Sequence, residues 1–329
     1  MKSGNRFAES FGYNFFFFIA KMVAIIIAVF SFWYLKDINL LLYNIQDPFA
    51  KSDLLRYYDH YNHVLNNPSD DKDLGYYYLA FFFKKIGFSF EFFIFIFLFL
   101  YYLIISIVFY KITFVKNWFI YFILFVLGSF LLVPLFTVAF RQGIATLILL
   151  FFLFRSDSLS LIFSLFIVLL ASTVHFSAIA FLLFFIFEKF IKIDRIKLID
   201  RIFITTCLLY VAGFFEYTSN LFINLSLRFN LDVRAFANEN DYRIGFSIYK
   251  FIAIVIPALL YRLTNFLNKH FGLRIYLFYI FITLIGMFLS GLPYHDRILL
   301  YAFAISPILI TCFIIFFLNN LLNMSIKKL

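Results

Sequence analysis

Residues 137–180 read TVAFRQGIATLILLFFLFRSDSLSLIFSLFIVLLASTVHFSAIA. Two apolar runs lie in this stretch, each with a lone polar anchor. Arg141-Gln142 opens the first, and His175-Phe176-Ser177-Ala178 follows the second. Arg155, Ser156 and Asp157 form the short polar turn between them. Neither run carries the 3.6-residue stripe of a soluble amphipathic helix. Both are apolar all round, as helices surrounded by lipid must be. If both cross a membrane, Arg141 and His175 emerge on one side and Arg155 on the other. A guanidinium and an imidazole at one membrane face mark a candidate site.

The rest of the chain has the same character. Its 329 residues are 64% hydrophobic and 24% aromatic, with 55 Phe. Mean hydropathy is +0.95, well beyond the apolar share of a soluble domain. The fold class expected is therefore an all-α integral membrane protein. A net charge of +10 could suggest nucleic acid. The basic residues are scattered through short loops, however, with no basic arm or stripe, so positive-inside bias explains them better and no nucleic-acid partner is expected. Cys207 and Cys312 both lie in apolar segments, which indicates neither a disulfide framework nor a metal site. The first apolar run lacks a small-residue cleavage site and reads as a span rather than a signal peptide.

At roughly 20 residues per crossing, about ten transmembrane helices fit, forming a single polytopic domain over residues 1–329. They are expected near Phe15–Tyr34, Ser89–Tyr110, Trp118–Val138, Arg141–Arg155, Leu159–Val174, Phe176–Phe187, Ile202–Phe222, Phe246–Leu263, Ile275–Leu292 and Ile298–Leu318. A long polar loop, residues 36–88, follows the first span, and within it residues 74–85 are too short to cross and read as an interfacial helix. A second polar loop covers about 223–246.

With the amino terminus inside, the inner loops and tails hold 15 basic and 5 acidic residues, and the outer ones 12 basic and 13 acidic. Both termini are then cytoplasmic. The same topology puts Asp53, Arg56, Arg141, His175, Arg228, Arg234, Arg243, His295, Asp296 and Arg297 on the outer face. The ionisable groups that need explaining gather on one side, around an expected outward-facing cavity.

Several arginines facing outward suit a phosphate-bearing substrate, because guanidinium forks match phosphate oxygens two at a time. The sequence has no P-loop, and chemistry on the outer leaflet cannot draw on cytosolic nucleotides. An activated donor carried in the membrane, such as an isoprenoid diphosphate-linked sugar, meets that constraint without a cofactor. Arg141 and Arg297 are the candidates to stabilise the departing diphosphate. His175 or Asp296 is the candidate to accept the proton of an attacking sugar hydroxyl.

Four places in the chain resemble the EpsG/Wzy-type polysaccharide polymerases. They are Ser52-Asp53-Leu54-Leu55-Arg56-Tyr57-Tyr58, Phe140-Arg141-Gln142-Gly143-Ile144-Ala145, Ala171-Ser172-Thr173-Val174-His175-Phe176-Ser177-Ala178, and Asp296-Arg297 with Tyr301. Arg234 and Gly245 also fit the arginine, ten residues, glycine pattern described for such polymerases. The resemblance implies a GT-C-like helical fold in the bacterial cytoplasmic membrane. It further implies metal-independent, inverting transfer of a growing chain between undecaprenyl-diphosphate-linked oligosaccharides, with a chain-length regulator as partner. Asp53, Arg56, Tyr57, Gln142, Arg234, Arg243, His295 and Tyr301 are the expected substrate-binding residues, and His175, Arg141, Arg297 and Asp296 the catalytic ones.

Plainer readings stand beside these. Arg141 can anchor a helix end by snorkelling, His175 can be a packed histidine at a helix break, and Asp296-Arg297 can be an ion pair that closes a turn. An O-antigen ligase, a flippase of lipid-linked sugar and a membrane acyltransferase are the alternative functions. A flippase predicts charges lining mid-span paths and two similar halves; mid-span charges are nearly absent and no repeat is evident.

Overall fold

Long uninterrupted runs of Phe, Leu and Ile leave the backbone one way to satisfy its own polar groups in lipid, which is to coil. The computed structural model describes residues 22, 25–26, 53–65, 73–137, 139–153, 161–190, 196–228, 245–292 and 295–326, and these contain helices and turns but no strand. The helices are α1 (Asp53–His63), α2 (Leu74–Lys85), α3 (Phe90–Thr113), α4 (Trp118–Thr137), α5 (Phe140–Leu153), α6 (Leu161–Val174), α7 (Phe181–Phe190), α8 (Ile196–Val211), α9 (Phe214–Arg228), α10 (Ile248–Arg262), α11 (His270–Phe288) and α12 (His295–Ile326). Two 3-10 turns, Phe176–Ala180 and Asn265–Asn268, precede α7 and α11.

Helix α11 is buried on every side and packs against α8, α10 and α12; α12 also packs on α4, and α5 pairs with α6. Pro257 lies inside α10 and Pro307 inside α12. Each proline disrupts the hydrogen bonding of the turn before it. In both cases a buried tyrosine from a neighbouring helix donates to the carbonyl three residues upstream: Tyr279 to Ile254 at 2.8 Å, and Tyr101 to Ala304. Each phenol thus gives a carbonyl of the proline's turn a donor that lipid cannot supply.

By length and apolarity, α3, α11 and residues 297–321 of α12 are the candidate membrane spans among the described residues, while α4 to α7 carry shorter apolar stretches. The expected first span, Phe15–Tyr34, lies almost wholly outside the described residues. Three expected segments gain detail. Within the first expected outer loop, residues 53–63 form α1. The seventh expected span is two helices, α8 and α9, bent by 73° at Gly213, whose φ of 72° suits glycine. The sixth begins as the 3-10 turn before becoming α7. Helix α2 occupies the same residues, 74–85, as the short helix expected in the first loop.

This arrangement sorts polar residues to two ends of the bundle. Following α11 and α12 through the turn that joins them puts Arg274 and Arg297 on the order of 25 Å apart along the helix axis. One end carries Lys111, Glu188, Asp200, Arg262, Lys269 and Arg274; the other carries Asp73, Arg141, His175 and Arg297.

Candidate functional site

Three helix starts, one helix middle and one junction meet at the second of these ends: the starts of α2, α5 and α12, the middle of α1 through Tyr57, and the break after α6. Except in polar α1, each contributes because a polar residue sits where its apolar run stops. Asp73 occupies the position before α2, where an aspartate ordinarily caps its own helix, but it makes no capping bond. One of its oxygens accepts from Arg141 Nη1 at 3.0 Å, and the other accepts the Phe176 N–H at 3.3 Å. A single carboxylate therefore ties α2, α5 and the His175 junction together. Helix α2 can come this close because residue 75 is glycine: a Cβ there would lie 2.4 Å from Thr173 Oγ1 and 2.9 Å from its backbone carbon.

Arg141 is sandwiched as well as paired. Its guanidinium carbon lies 5.5 Å from the centre of the Tyr57 ring and 5.3 Å from that of Tyr76, within cation–π range. Those rings are edge-packed on Phe140. The arginine side chain is 23% exposed and Asp73 14%, so the pair is shielded but not sealed. Gln142, one residue on, is fully buried, and its amide donates to the Arg297 carbonyl. That bond joins the first turn of α5 to the first turn of α12, which gives Gln142 a positioning task.

His175 ends α6 in an extended conformation, and its Nδ1 accepts the Ser177 N–H at 3.2 Å. The Ser177 hydroxyl lies 2.8 Å from the same nitrogen and 3.0 Å from the Tyr301 hydroxyl. Tyr301 is in turn packed edge-on against Phe181, with ring centres 4.8 Å apart. Burial first, and then the positive charges of Arg297 and Arg141, lower the His175 pKa to about 4. The imidazole is neutral at ordinary pH.

The structure thus brings together Arg141, Gln142, His175, Arg297, Tyr301 and Tyr57, all expected from the sequence. Arg56 is exposed on α1. The side chains of Asp53, His295 and Asp296 lie outside the described residues, as do Arg234 and Arg243 altogether. Gly245 is described: it has a φ of 87° and its N–H donates to the Ser290 carbonyl at 2.8 Å. Asp73, Tyr76 and Gly75 were not expected at the site. An aspartate before an apolar helix reads as a cap, and a Tyr-Tyr-Tyr run reads as interfacial, so neither announced its contact with Arg141. Among the described residues no three His, Cys, Asp or Glu side chains are grouped to hold a metal ion.

Chemically, the cluster offers two guanidiniums and a neutral imidazole at the end of the bundle, an arrangement suited to an anion with several oxygens. The EpsG family model matches residues 40–327, and these include every residue of the cluster. No curated protein and no solved structure matches the chain.

Proposed function

The chain belongs to the EpsG family of Wzy-type polysaccharide polymerases, and from that premise we propose that it joins undecaprenyl-diphosphate-linked oligosaccharide repeat units. The reaction takes place on the outer face of the bacterial cytoplasmic membrane, in the synthesis of O-antigen, capsule or exopolysaccharide. The observation that carries this reading is the convergence of Arg141, Arg297 and neutral His175 at one end of the bundle.

In the proposed reaction a growing chain moves from its diphosphate carrier to a hydroxyl of the next lipid-linked unit. Arg141 and Arg297 hold the diphosphate and receive its charge as the glycosidic bond breaks. Asp73 and the two tyrosines fix the Arg141 fork, and Gln142 fixes the first turn of α12. His175 and Asp296 are the two candidates for the acceptor hydroxyl's proton. The transfer runs without a metal, through about ten membrane-spanning helices with both termini cytoplasmic. Asp53, Arg56, Arg234, Arg243 and His295 are further residues assigned to binding the sugars, and a chain-length regulator sets where growth stops.

The test is a size profile of surface polysaccharide and lipid-linked glycan with and without the gene. Polymerisation predicts loss of long chains, with single repeat units remaining. Long chains retained on the isoprenoid carrier would point instead to a ligase. Repeat units trapped on the inner leaflet would point to a flippase, and unchanged length with a lost acyl group to an acyltransferase.

A further inference from the structure

We propose that His175 serves this site as a neutral hydrogen-bond donor, offering Nε2–H to a phosphate oxygen of the diphosphate, and that it does not take the proton of the attacking hydroxyl. The inference rests on the polymerase reading above and decides between its two candidates for that proton.

The direction of the hydrogen bonds carries the argument. A backbone N–H can only donate, so the Ser177 N–H, 3.2 Å from Nδ1, fixes that nitrogen as the one with the lone pair. In a neutral imidazole the other nitrogen then holds the hydrogen. The Ser177 hydroxyl, 2.8 Å from the same Nδ1, must also donate to it. Its oxygen is left to accept from the Tyr301 hydroxyl at 3.0 Å. Hydrogens therefore run one way, from Tyr301 to Ser177 to Nδ1, and the ring ends the chain with an N–H. Among the described residues no group accepts from Nε2.

A ring in this state has no lone pair to spare for a sugar hydroxyl. Becoming a base would require rupture of both Ser177 contacts and a positive charge in the field of Arg297 and Arg141. Donating a hydrogen bond requires neither change. The transfer balances accordingly. The acceptor oxygen bonds to the anomeric carbon, and the bond from that carbon to the diphosphate oxygen breaks. Its electron pair stays on the diphosphate, where the two guanidiniums and Nε2–H receive it. The hydroxyl proton passes to the other candidate, the Asp296 carboxylate.

The experiment compares His175→Gln with His175→Ala, each as the full chain in a strain lacking the gene, at matched membrane levels. Glutamine can present an N–H near the place of Nε2–H but cannot act as a base. Loss of one preorganised donor predicts that His175→Ala lowers chain lengthening about 100-fold, whereas His175→Gln stays within about tenfold of wild type. Nitrogen NMR of the histidine ring in the purified full-length protein should show Nδ1 bare and Nε2 protonated, with inorganic diphosphate moving the Nε2–H signal. Glutamine as inactive as alanine, or the opposite tautomer, would overturn the proposal. If the glutamine variant fails to accumulate, the tautomer measured on wild type decides. A strain without the gene that still makes long chains would remove the polymerase reading itself, whatever the tautomer.

Discussion

The two ends of the bundle use the same residue types to opposite effect. At one end charges are closed against each other. Buried Arg274 holds Glu188 by an ion contact, Nε to Oε1 at 2.6 Å, and a hydrogen bond from Nη2 to Oε2 at 3.1 Å. Arg262 Nε meets Asp200 at 2.7 Å, and the other Asp200 oxygen accepts from Tyr276 at 2.8 Å. Lys269 donates to the Ile112 carbonyl at 2.9 Å while lying over the Phe114 and Phe266 rings. Helices α3, α7, α8, α10 and α11 are laced together there. At the other end, Arg141 pairs with Asp73 while lying over the Tyr57 and Tyr76 rings, and a neutral histidine lies in the fields of two arginines. Paired charge fixes helices. Two arginines set beside a neutral histidine and a shared carboxylate leave Arg141 stacked on aromatic faces where an anion can approach.

That contrast can be broken most forcefully from the closed end. Arg274→Ala leaves Glu188 without its partner and should lower stability by about 3–5 kcal/mol, read as thermal unfolding in detergent. Replacing both members with apolar residues of similar volume should restore most of the loss. The chain lengthening catalysed by each inserted molecule should stay unchanged in both variants.

At the open end the ranking of effects reverses. Arg141→Lys keeps the charge but loses the fork and the stacking between Tyr57 and Tyr76. It should reduce chain lengthening about 100-fold, with protein level and melting little altered. Gly75→Ala should cost about 1–3 kcal/mol by overpacking α2 against Thr173. Because Asp73 moves with α2, chain lengthening should fall as well, and a melting curve paired with a size profile checks both effects. Tyr301→Phe removes the first donor of the hydrogen-bonded chain and should change activity by about 1 kcal/mol, a several-fold drop in chain lengthening.

The smallest expected effect is none at all. A histidine at its ordinary pKa of 6.5 would put a break in the pH profile, but His175 is lowered to about 4. The unfolded chain therefore binds this proton first as pH falls. His175 contributes its full stabilisation above about 6.5, and that contribution is lost progressively as pH drops toward 4. Between pH 8 and 7 it should produce no change in melting temperature, with a decline beginning only below about 6.5. The dependence should vanish in His175→Gln.

Much of this was legible in the sequence because apolar runs are punctuated by few polar residues. Arg141, His175 and Arg297 stand where runs stop, and alternating the direction of the helices is enough to put them at one end. Tyr301 came with the same pattern, one turn after Arg297 in the last helix. What could not be read were contacts decided by side-chain direction. Asp73 has the sequence context of a helix cap and turns away from its own helix. Gly213 is one glycine inside an apolar segment, compatible with a continuous span until its positive φ bends the chain. Residues 53–63, DLLRYYDHYNH, are polar enough to pass for a loop, and their helix packs through a few aromatic rings, Tyr61 on Phe93 among them. His175 itself was easy to find. Its tautomer depends on a backbone N–H two residues away, which no residue pattern encodes.

The most direct measurement complements a strain lacking the gene with either Arg141→Lys or Arg262→Lys, at matched membrane levels, and compares the size profiles of its polysaccharide. Both substitutions exchange one cation for another, at opposite ends of the bundle. The expected result is accumulation of single repeat units with Arg141→Lys and long chains with Arg262→Lys. Long chains in both strains, or their loss only with Arg262→Lys, would contradict the placement of the polymerase site at Arg141, His175 and Arg297.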